Sequence, residues 1–288
     1  MASKKRTLTK PSYENRLVLF IDFLGFKNLI ARTSGDEQLL EKIVSAMDHI
    51  KQIADESEFF DTQRVTQFSD CMVVSYRVDE KSAVFDLITN IGFMLVDLAG
   101  RGFLLRGAVT VGQLFHTAEH VLGPAMVRAY ELESKCAKYP RVVVDRAALN
   151  VPLTAPASHH SGQEELGYVS GYLQQDEDGQ LFIDYISWNA VVGTIGGDEK
   201  RYPEYLQDIG NLVKEGLKYD SASVLEKMLW LHGHYSRAVR LIKGLPKRNK
   251  WRTQNPLQHI SISALPMFIK EVRAARKIIA SPIARKVR

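Results

Sequence analysis

The chain has 288 residues, 45% of them hydrophobic and 25% charged, with a formal net charge of +5. This composition is that of an ordinary globular protein and excludes a chain too polar to bury a core. Its two cysteines, Cys71 and Cys136, lie far apart and form no metal-type spacing, so we expect free thiols in a reducing compartment. The basic N-terminus leads into no signal-peptide core, and no apolar run reaches the ~20 residues that span a bilayer. These features predict a cytoplasmic protein with no membrane span.

Positive charge is concentrated at the C-terminal end of the chain. From Ser236 to Arg288 there are 14 Lys or Arg and one acid, Glu271, a balance of +13, whereas the rest of the chain carries −8. Such asymmetry is found in proteins that contact nucleic acid or a membrane surface. It also arises when a basic face is solvated, or docks on an acidic part of the same protein or of its dimer mate. We prefer the second interpretation and do not expect nucleic-acid binding.

The first predicted element is a strand over Leu17–Phe23, because its residues are apolar without alternation, as in a strand buried on both faces. Asp22 lies within this apolar run, and Gly25 ends the strand. A lone buried carboxylate is costly unless it is paired, hydrogen-bonded or bound to a metal. Asp22 therefore requires a partner elsewhere in the chain.

Further elements follow in alternation. Residues 36–57 have apolar side chains at helical spacing with Asp36 as the N-cap. Two short apolar runs around Ser69 and Asp70 predict a hairpin with its turn there. Glycines in the strand over residues 103–116 indicate a bend or a close backbone approach. The remaining predictions are helices over 82–100, 123–139, 205–217, 222–245 and 263–280, a strand over 141–145, and a hairpin over 171–186.

This order predicts an α+β fold, a mainly antiparallel sheet with helices on one face, followed by a helical C-terminal extension. We divide the chain into a flexible basic N-terminus over residues 1–15, a domain over residues 16–190, and a basic helical extension over residues 200–288.

Two acids are candidates for chemistry. Asp22 ends a buried strand and Asp70 occupies a hairpin turn, so adjacent central strands would place both carboxylates at one edge of the sheet. There they repel each other unless a cation lies between them, and Mg²⁺ or Mn²⁺ prefers oxygen ligands. The turn after Asp22 gives a use for Gly25, because backbone N–H groups at Leu24, Gly25, Phe26 and Lys27 could form a nest for phosphate oxygens. A helix-capping Asp22 and an ordinary turn Asp70 would explain the same pattern.

Four motifs, in this order and spacing, resemble the catalytic domain of class III nucleotidyl cyclases: FIDFLGF, QFSDCMVV, LLRGAVTVGQLF and VLGPAMVRAYELE. The resemblance covers roughly residues 16–145 and implies the ferredoxin-like sheet of that family. It implies that Asp22 and Asp70, with the Phe23 carbonyl, bind two divalent ions, and that Arg106 holds the triphosphate. It also implies a homodimer with composite active sites that acts on a nucleoside triphosphate.

The sequence departs from the family pattern at two sets of residues: those that recognise the nucleotide base, and an Asn and Arg pair on the helix after the fourth motif. The helical Asn and Arg of purine cyclases correspond to Val127 and Glu131, so neither is present, and Arg128 is a candidate replacement. The purine-reading Lys and Asp fall near Thr66 and His120, which are not a donor and acceptor set suited to adenine.

The chain most resembles the pyrimidine cyclases of bacterial Pycsar anti-phage systems, which make cyclic UMP or cyclic CMP for a separate effector. This resemblance implies a uridylate cyclase, with cytidylate cyclase as second choice, and bulky side chains such as Phe59, Phe60 or Tyr130 could exclude purines. The alternatives are a purine cyclase or a non-catalytic nucleotide-binding module.

Overall fold

One mixed sheet organises the part of the chain that the computed structural model describes, residues 11–54 and 59–281. Its strand order is β2-β3-β1-β4-β6-β8-β7, with β5 paired to the end of β4. Neighbouring strands are antiparallel except β4 and β6, which are parallel. The strands are β1 Glu14–Phe23, β2 Arg64–Phe68, β3 Cys71–Arg77, β4 Leu105–His116, β5 Val121–Leu122, β6 Val142–Val144, β7 Leu173–Gln175 and β8 Leu181–Ile183.

Eleven α-helices accompany this sheet within the same described ranges. They are α1 Phe26–Thr33, α2 Glu37–Ala54, α3 Ala83–Gly100, α4 Pro124–Lys135, α5 Val151–Thr154, α6 Gly162–Gly171, α7 Tyr202–Gly216, α8 Ala222–Lys243, α9 Lys250–Gln254, α10 Pro256–Ser263 and α11 Ile269–Ala280. A 3₁₀ turn at Arg146–Asn150 and a π-helical turn at Asn189–Thr194 complete the chain.

Strand β1 lies inside the sheet, between β3 and β4, and is buried on both faces, as its unbroken apolar run predicts. Leu17, Leu19 and Ile21 point into the larger core, where they meet α3 and other helices. Val18 and Phe20 point to the opposite face, into a smaller cluster with residues of α4. Because successive side chains alternate between faces, Asp22 lies on the side of Val18 and Phe20, which we call the α4 face.

The predicted α+β class is confirmed, and the structure adds one helix on the second side of the sheet. Ala125 and Ala129 of α4 pack on the α4 face, while α3 occupies the larger core on the other side. A Cβ on Gly112 would lie 3.4 Å from the Ala125 Cβ, and one on Gly107 would lie 2.5 Å from the Phe20 carbonyl oxygen. Both glycines therefore permit the close approach that the sequence predicts.

Helix α3 is the one helix among the described residues long and apolar enough to cross a bilayer, with 56% of that stretch buried in the protein. Its inward residues, among them Ile88, Ile91 and Leu98, belong to the larger core. Helices α7 and α8 contribute to the same core through residues such as Leu206 and Leu231. The C-terminal helices thus share one continuous core with the sheet.

Most predicted elements occur at their predicted places. Asp36 accepts a hydrogen bond from the Leu39 backbone N–H (2.9 Å), so it caps α2 as expected. Helix α3 ends at Gly100, but the left-handed residue that follows it is Gly102, with φ of +94°. Helices α1, α5, α6, α9 and α10 do not correspond to predicted helices. The flexible segment predicted over residues 1–15 falls mostly on residues 1–10, which lie outside the described ranges. Residues 55–58 and 282–288 also lie outside them.

Candidate active site

Asp22 and Asp70 meet at one edge of the sheet although they are distant in the chain. Asp22 lies near the end of β1, and Asp70 lies in the β2–β3 turn beside Ser69, whose φ is +53°. Strands β1 and β3 pair in a register that sets Ile21 opposite Met72. As a result, ligand atoms of Asp22, Asp70 and Cys71 all lie within 4.8 Å of one another.

Arg106 is the cationic partner that buried Asp22 requires. Residues 22 and 106 are directly opposite in the β1–β4 ladder. The Arg106 Nε and Nη2 each donate to an Asp22 carboxylate oxygen at 3.2 Å. Burial raises the pKa of the Asp22 carboxyl group, with Arg106 opposing the shift and Asp70 adding to it. The pairing is a bidentate ion pair in a partly desolvated position.

Glu133 of α4 forms a second ion pair with Arg106 and is 2% exposed. Burial, followed by the charge of Asp22, raises the pKa of Glu133 to about 7, with Arg106 opposing the shift. Burial would lower the pKa of Arg106, but the two carboxylates outweigh it and raise that pKa. Arg106 therefore lies between two acids that repel each other and pairs with both of them.

The acid pair fits divalent cations. Carboxylate oxygens within 4.8 Å of one another are close enough to bind a shared divalent ion, whose oxygen ligands lie at about 2.0–2.1 Å for Mg²⁺. The Asp22 oxygens that bond Arg106 retain lone pairs for a metal. Burial, then the nearby carboxylates, raise the pKa of the Cys71 thiol to about 11. The two carboxylates are hard oxygen ligands of the kind that Mg²⁺ and Mn²⁺ prefer.

The predicted nest after Asp22 is smaller than expected. The Leu24 backbone N–H donates to the Leu104 carbonyl (2.8 Å), so it is not available to a phosphate. Gly25 adopts φ of +79° and is the N-cap of α1, which begins at Phe26. The Phe23 ring packs in the larger core, 5.8 Å from the Phe103 ring. What remains is the N-terminus of a short helix beside the acid pair.

Thr66 is held by a chain of buried hydrogen bonds on the α4 face. Arg16 Nε donates to Ser75 Oγ (2.8 Å), and His116 Nδ1 lies 2.8 Å from the same oxygen. His116 Nε2 lies 2.9 Å from Thr66 Oγ1. The imidazole ring therefore links Ser75 to Thr66 by hydrogen bonds through both of its nitrogens.

Burial, together with the charges of Arg16 and Arg64, lowers the pKa of His116 to about 4. A depressed pKa contributes stability above the unfolded value of 6.5 that is lost as pH falls towards 4. Urea unfolding should therefore show a His116-linked loss of about 2 kcal/mol between about pH 7.5 and pH 5. His116→Gln should lack this loss, whereas exposed His120→Gln should retain it; equal pH dependence in all three proteins would contradict the prediction.

The other predicted site residues are more dispersed. His120 lies exposed in the β4–β5 turn, where its N–H donates to Thr117 Oγ1 (3.1 Å), and it is His116 that contacts Thr66. Arg128 Nε donates to Asp145 Oδ2 at 3.2 Å. Of the three candidate bulky side chains, Phe60 packs against Tyr76 on the larger-core side, away from the acids. Phe59 is 79% exposed, and Tyr130 lies on α4 with its ring 6.0 Å from that of Phe20.

Sequence reasoning missed Glu133 and His116, although each carries a signal. Glu133 follows Ala125 and Ala129 at four-residue intervals, which puts it on the buried face of α4. His116 lies an even number of residues after Arg106, on the same face of β4. A buried polar residue in register with the candidate acids is the pattern that identifies both.

No family model and no curated protein matches the chain. Among solved structures, it is similar to a bacterial light-regulated adenylyl cyclase (15% identity, 49% of this chain and 80% of that one, TM-score 0.39). It is also similar to the adenylyl cyclase CyaB from P. aeruginosa (13%, 50% and 82%, TM-score 0.39). A third is the monomeric guanylyl cyclase domain of the RhoGC fusion protein from the aquatic fungus Blastocladiella emersonii (16%, 60% and 96%, TM-score 0.40). Because these sequence identities and TM-scores are low, the function has to be inferred from this chain's own residues.

Proposed function

We propose that the protein is a metal-dependent pyrimidine nucleotide cyclase that converts UTP to cyclic UMP and pyrophosphate. The observation that carries this proposal is the meeting of Asp22 and Asp70 within 4.8 Å, beside Arg106 at 3.2 Å from Asp22. A nucleoside triphosphate brings a polyanion that two carboxylates alone would repel, so the site requires divalent cations to bind it.

Asp22 and Asp70 would hold two divalent ions, Mn²⁺ or Mg²⁺, with the Phe23 carbonyl as a further ligand. When bound, such ions supply a lowered pKa for the ribose 3′-hydroxyl and neutralise phosphate charge. Arg106 provides fixed positive charge next to the acids, where phosphate charge grows as pyrophosphate leaves. The N-terminus of α1 at Gly25 and Phe26 offers backbone donors on the same side.

Selection of the base rests on Thr66. The Thr66 hydroxyl, 2.9 Å from His116 Nε2, is a short neutral group where the resemblance places a lysine, and it can donate to a uracil carbonyl. In this proposal His120 contacts the substrate from the β4–β5 turn. Arg128 and Tyr130 contact it from α4 of a second subunit. We rank uracil ahead of cytosine because the resemblance to Pycsar cyclases implies that order.

A homodimer is proposed through the surface around α4. Apolar side chains are exposed there: Val127 and Tyr130 on α4, Leu122 on β5 and Phe68 at the end of β2, the last 80% exposed. Clustered exposed apolar side chains are typical of an interaction surface. From the resemblance to Pycsar cyclases, we also propose that the cyclic nucleotide acts in the cytoplasm as an anti-phage signal for a separate effector.

The test is to incubate the pure protein with Mn²⁺ and each of the four nucleoside triphosphates and to resolve the products by mass. We expect pyrophosphate and a 3′,5′-cyclic nucleotide from UTP, with CTP the next best substrate. Conversion of ATP or GTP alone would replace the pyrimidine assignment with a purine cyclase. Binding of a triphosphate without any product would instead identify a non-catalytic module.

A further inference from the structure

A cavity of about 940 Å³ lies between the sheet domain and the C-terminal helices. Ser134 and Lys138, at and beyond the end of α4, form one wall, and Glu177 of the β7–β8 turn borders it. Helices α8 and α11 form the opposite wall with residues such as Lys227 and Arg276. Arg106 also lines this space, so the cavity begins at the side chain that pairs with Asp22.

Positive charge dominates the lining. Four cations face the cavity, namely Arg106, Lys138, Lys227 and Arg276, against two acids. Arg106 is shared with Asp22 and Glu133. Among the ion pairs of residues 11–54 and 59–281, none involves Lys138 or Arg276, so both charges are available to an anion in the cavity.

Helix α8 adds backbone donors to the same wall. Ala222 and Ser223, the first two residues of this 22-residue helix, line the cavity. The N–H groups of a first helical turn have no intrahelical acceptor and carry partial positive charge. Lys227, one turn later, donates to Ser223 Oγ at 2.7 Å and so is held at the same helix end.

The ammonium group of Lys227 is repelled by the neighbouring charge of Arg106. Burial, followed by the nearby charge of Arg106, lowers the pKa of the Lys227 ammonium group. Two cations that repel each other across a partly desolvated space favour an anion between them. A multiply charged anion would relieve this repulsion more than chloride could.

We propose that the C-terminal helices α8 and α11 bind polyphosphate in this cavity, holding the β- and γ-phosphates of a substrate whose α-phosphate lies at the acid pair. Arg106 joins the two regions, and Lys227, Arg276 and Lys138 grip the outer phosphates. The inference rests on the proposed function for the identity of the substrate. It assigns the basic C-terminal helices a role in the site.

The first experiment measures binding of inorganic triphosphate by calorimetry, with a chelator present so that no metal bridges the probe to Asp22 and Asp70. We expect Lys227→Met and Arg276→Gln each to weaken binding about tenfold or more, the effect of one lost charge-assisted hydrogen bond. Matched controls are Lys243→Met on α8 and Arg273→Gln on α11, both exposed and outside the cavity, which should stay within about twofold. Equal weakening by the controls, or none by the cavity variants, would overturn the proposal.

A second experiment distinguishes substrate phosphates from free polyphosphate. With the chelator still present, 3′-deoxyuridine triphosphate, which lacks the attacking hydroxyl, should displace inorganic triphosphate competitively. Simultaneous binding of both would refute the assignment of the cavity to the substrate. Neither experiment requires turnover, so competition without any cyclic product from UTP would support the cavity as a triphosphate site while refuting the proposed function.

Discussion

Asp70→Ala should reduce formation of cyclic nucleotide by about 10²–10³-fold or more, since it removes one of two carboxylates that hold the metal ions. Asp70 is a cleaner target than Asp22 because it lies in a turn and no described ion pair involves it, whereas Asp22 balances the partly buried charge of Arg106. The measurements are turnover with Mn²⁺ and UTP, and Mn²⁺ binding by paramagnetic resonance. Both should fall together.

Asp79→Ala is the matched control for Asp70→Ala. Asp79 lies just beyond the opposite end of β3 in an exposed turn, where it pairs with Arg77. Its removal should leave turnover and Mn²⁺ binding unchanged, because exposed ion pairs contribute little. If Asp70→Ala folds and turns over like the wild-type protein, the two-metal assignment is wrong.

Arg106→Met should destabilise the protein by about 3–5 kcal/mol at about pH 8, because it leaves two facing carboxylates without their cation. Glu133 has a pKa raised from 4.5 to about 7 in the folded protein. An acid with a raised folded pKa favours folding at low pH, and that contribution is lost as pH rises through about 7. The loss of stability in Arg106→Met should therefore be larger at about pH 8 than at about pH 5.5.

Unfolding by urea at both pH values, monitored by circular dichroism, measures this effect. The double variant Arg106→Met/Glu133→Gln should recover much of the lost stability, since it removes the uncompensated buried charge. Arg77→Met, which breaks an exposed ion pair, should leave the stability nearly unchanged, because exposed ion pairs contribute little. A destabilisation of similar size in Arg77→Met and Arg106→Met would show that the buried network does not stabilise the fold.

Local sequence signals support the Asp70 prediction, whereas the Arg106 prediction requires the tertiary structure. The unbroken apolar run of β1 and the hairpin turn at Asp70 are local signals, and they correctly place both acids at strand ends. The pairing of Arg106 with Asp22 is not local, because it depends on the register in which β4 joins β1. A shift of one residue in that register would send the Arg106 side chain to the other face.

By itself, the sequence determined the class of fold and which strands end in acids, because burial periodicity and turn chemistry act over a few neighbouring residues. Only the tertiary structure decided that α4 covers the acid side with Glu133, that His116 orients Thr66, and that α8 and α11 bring cations to a cavity shared with Arg106. Each of these depends on packing between segments far apart in the chain, where side-chain burial and charge are set by neighbours that periodicity does not reveal.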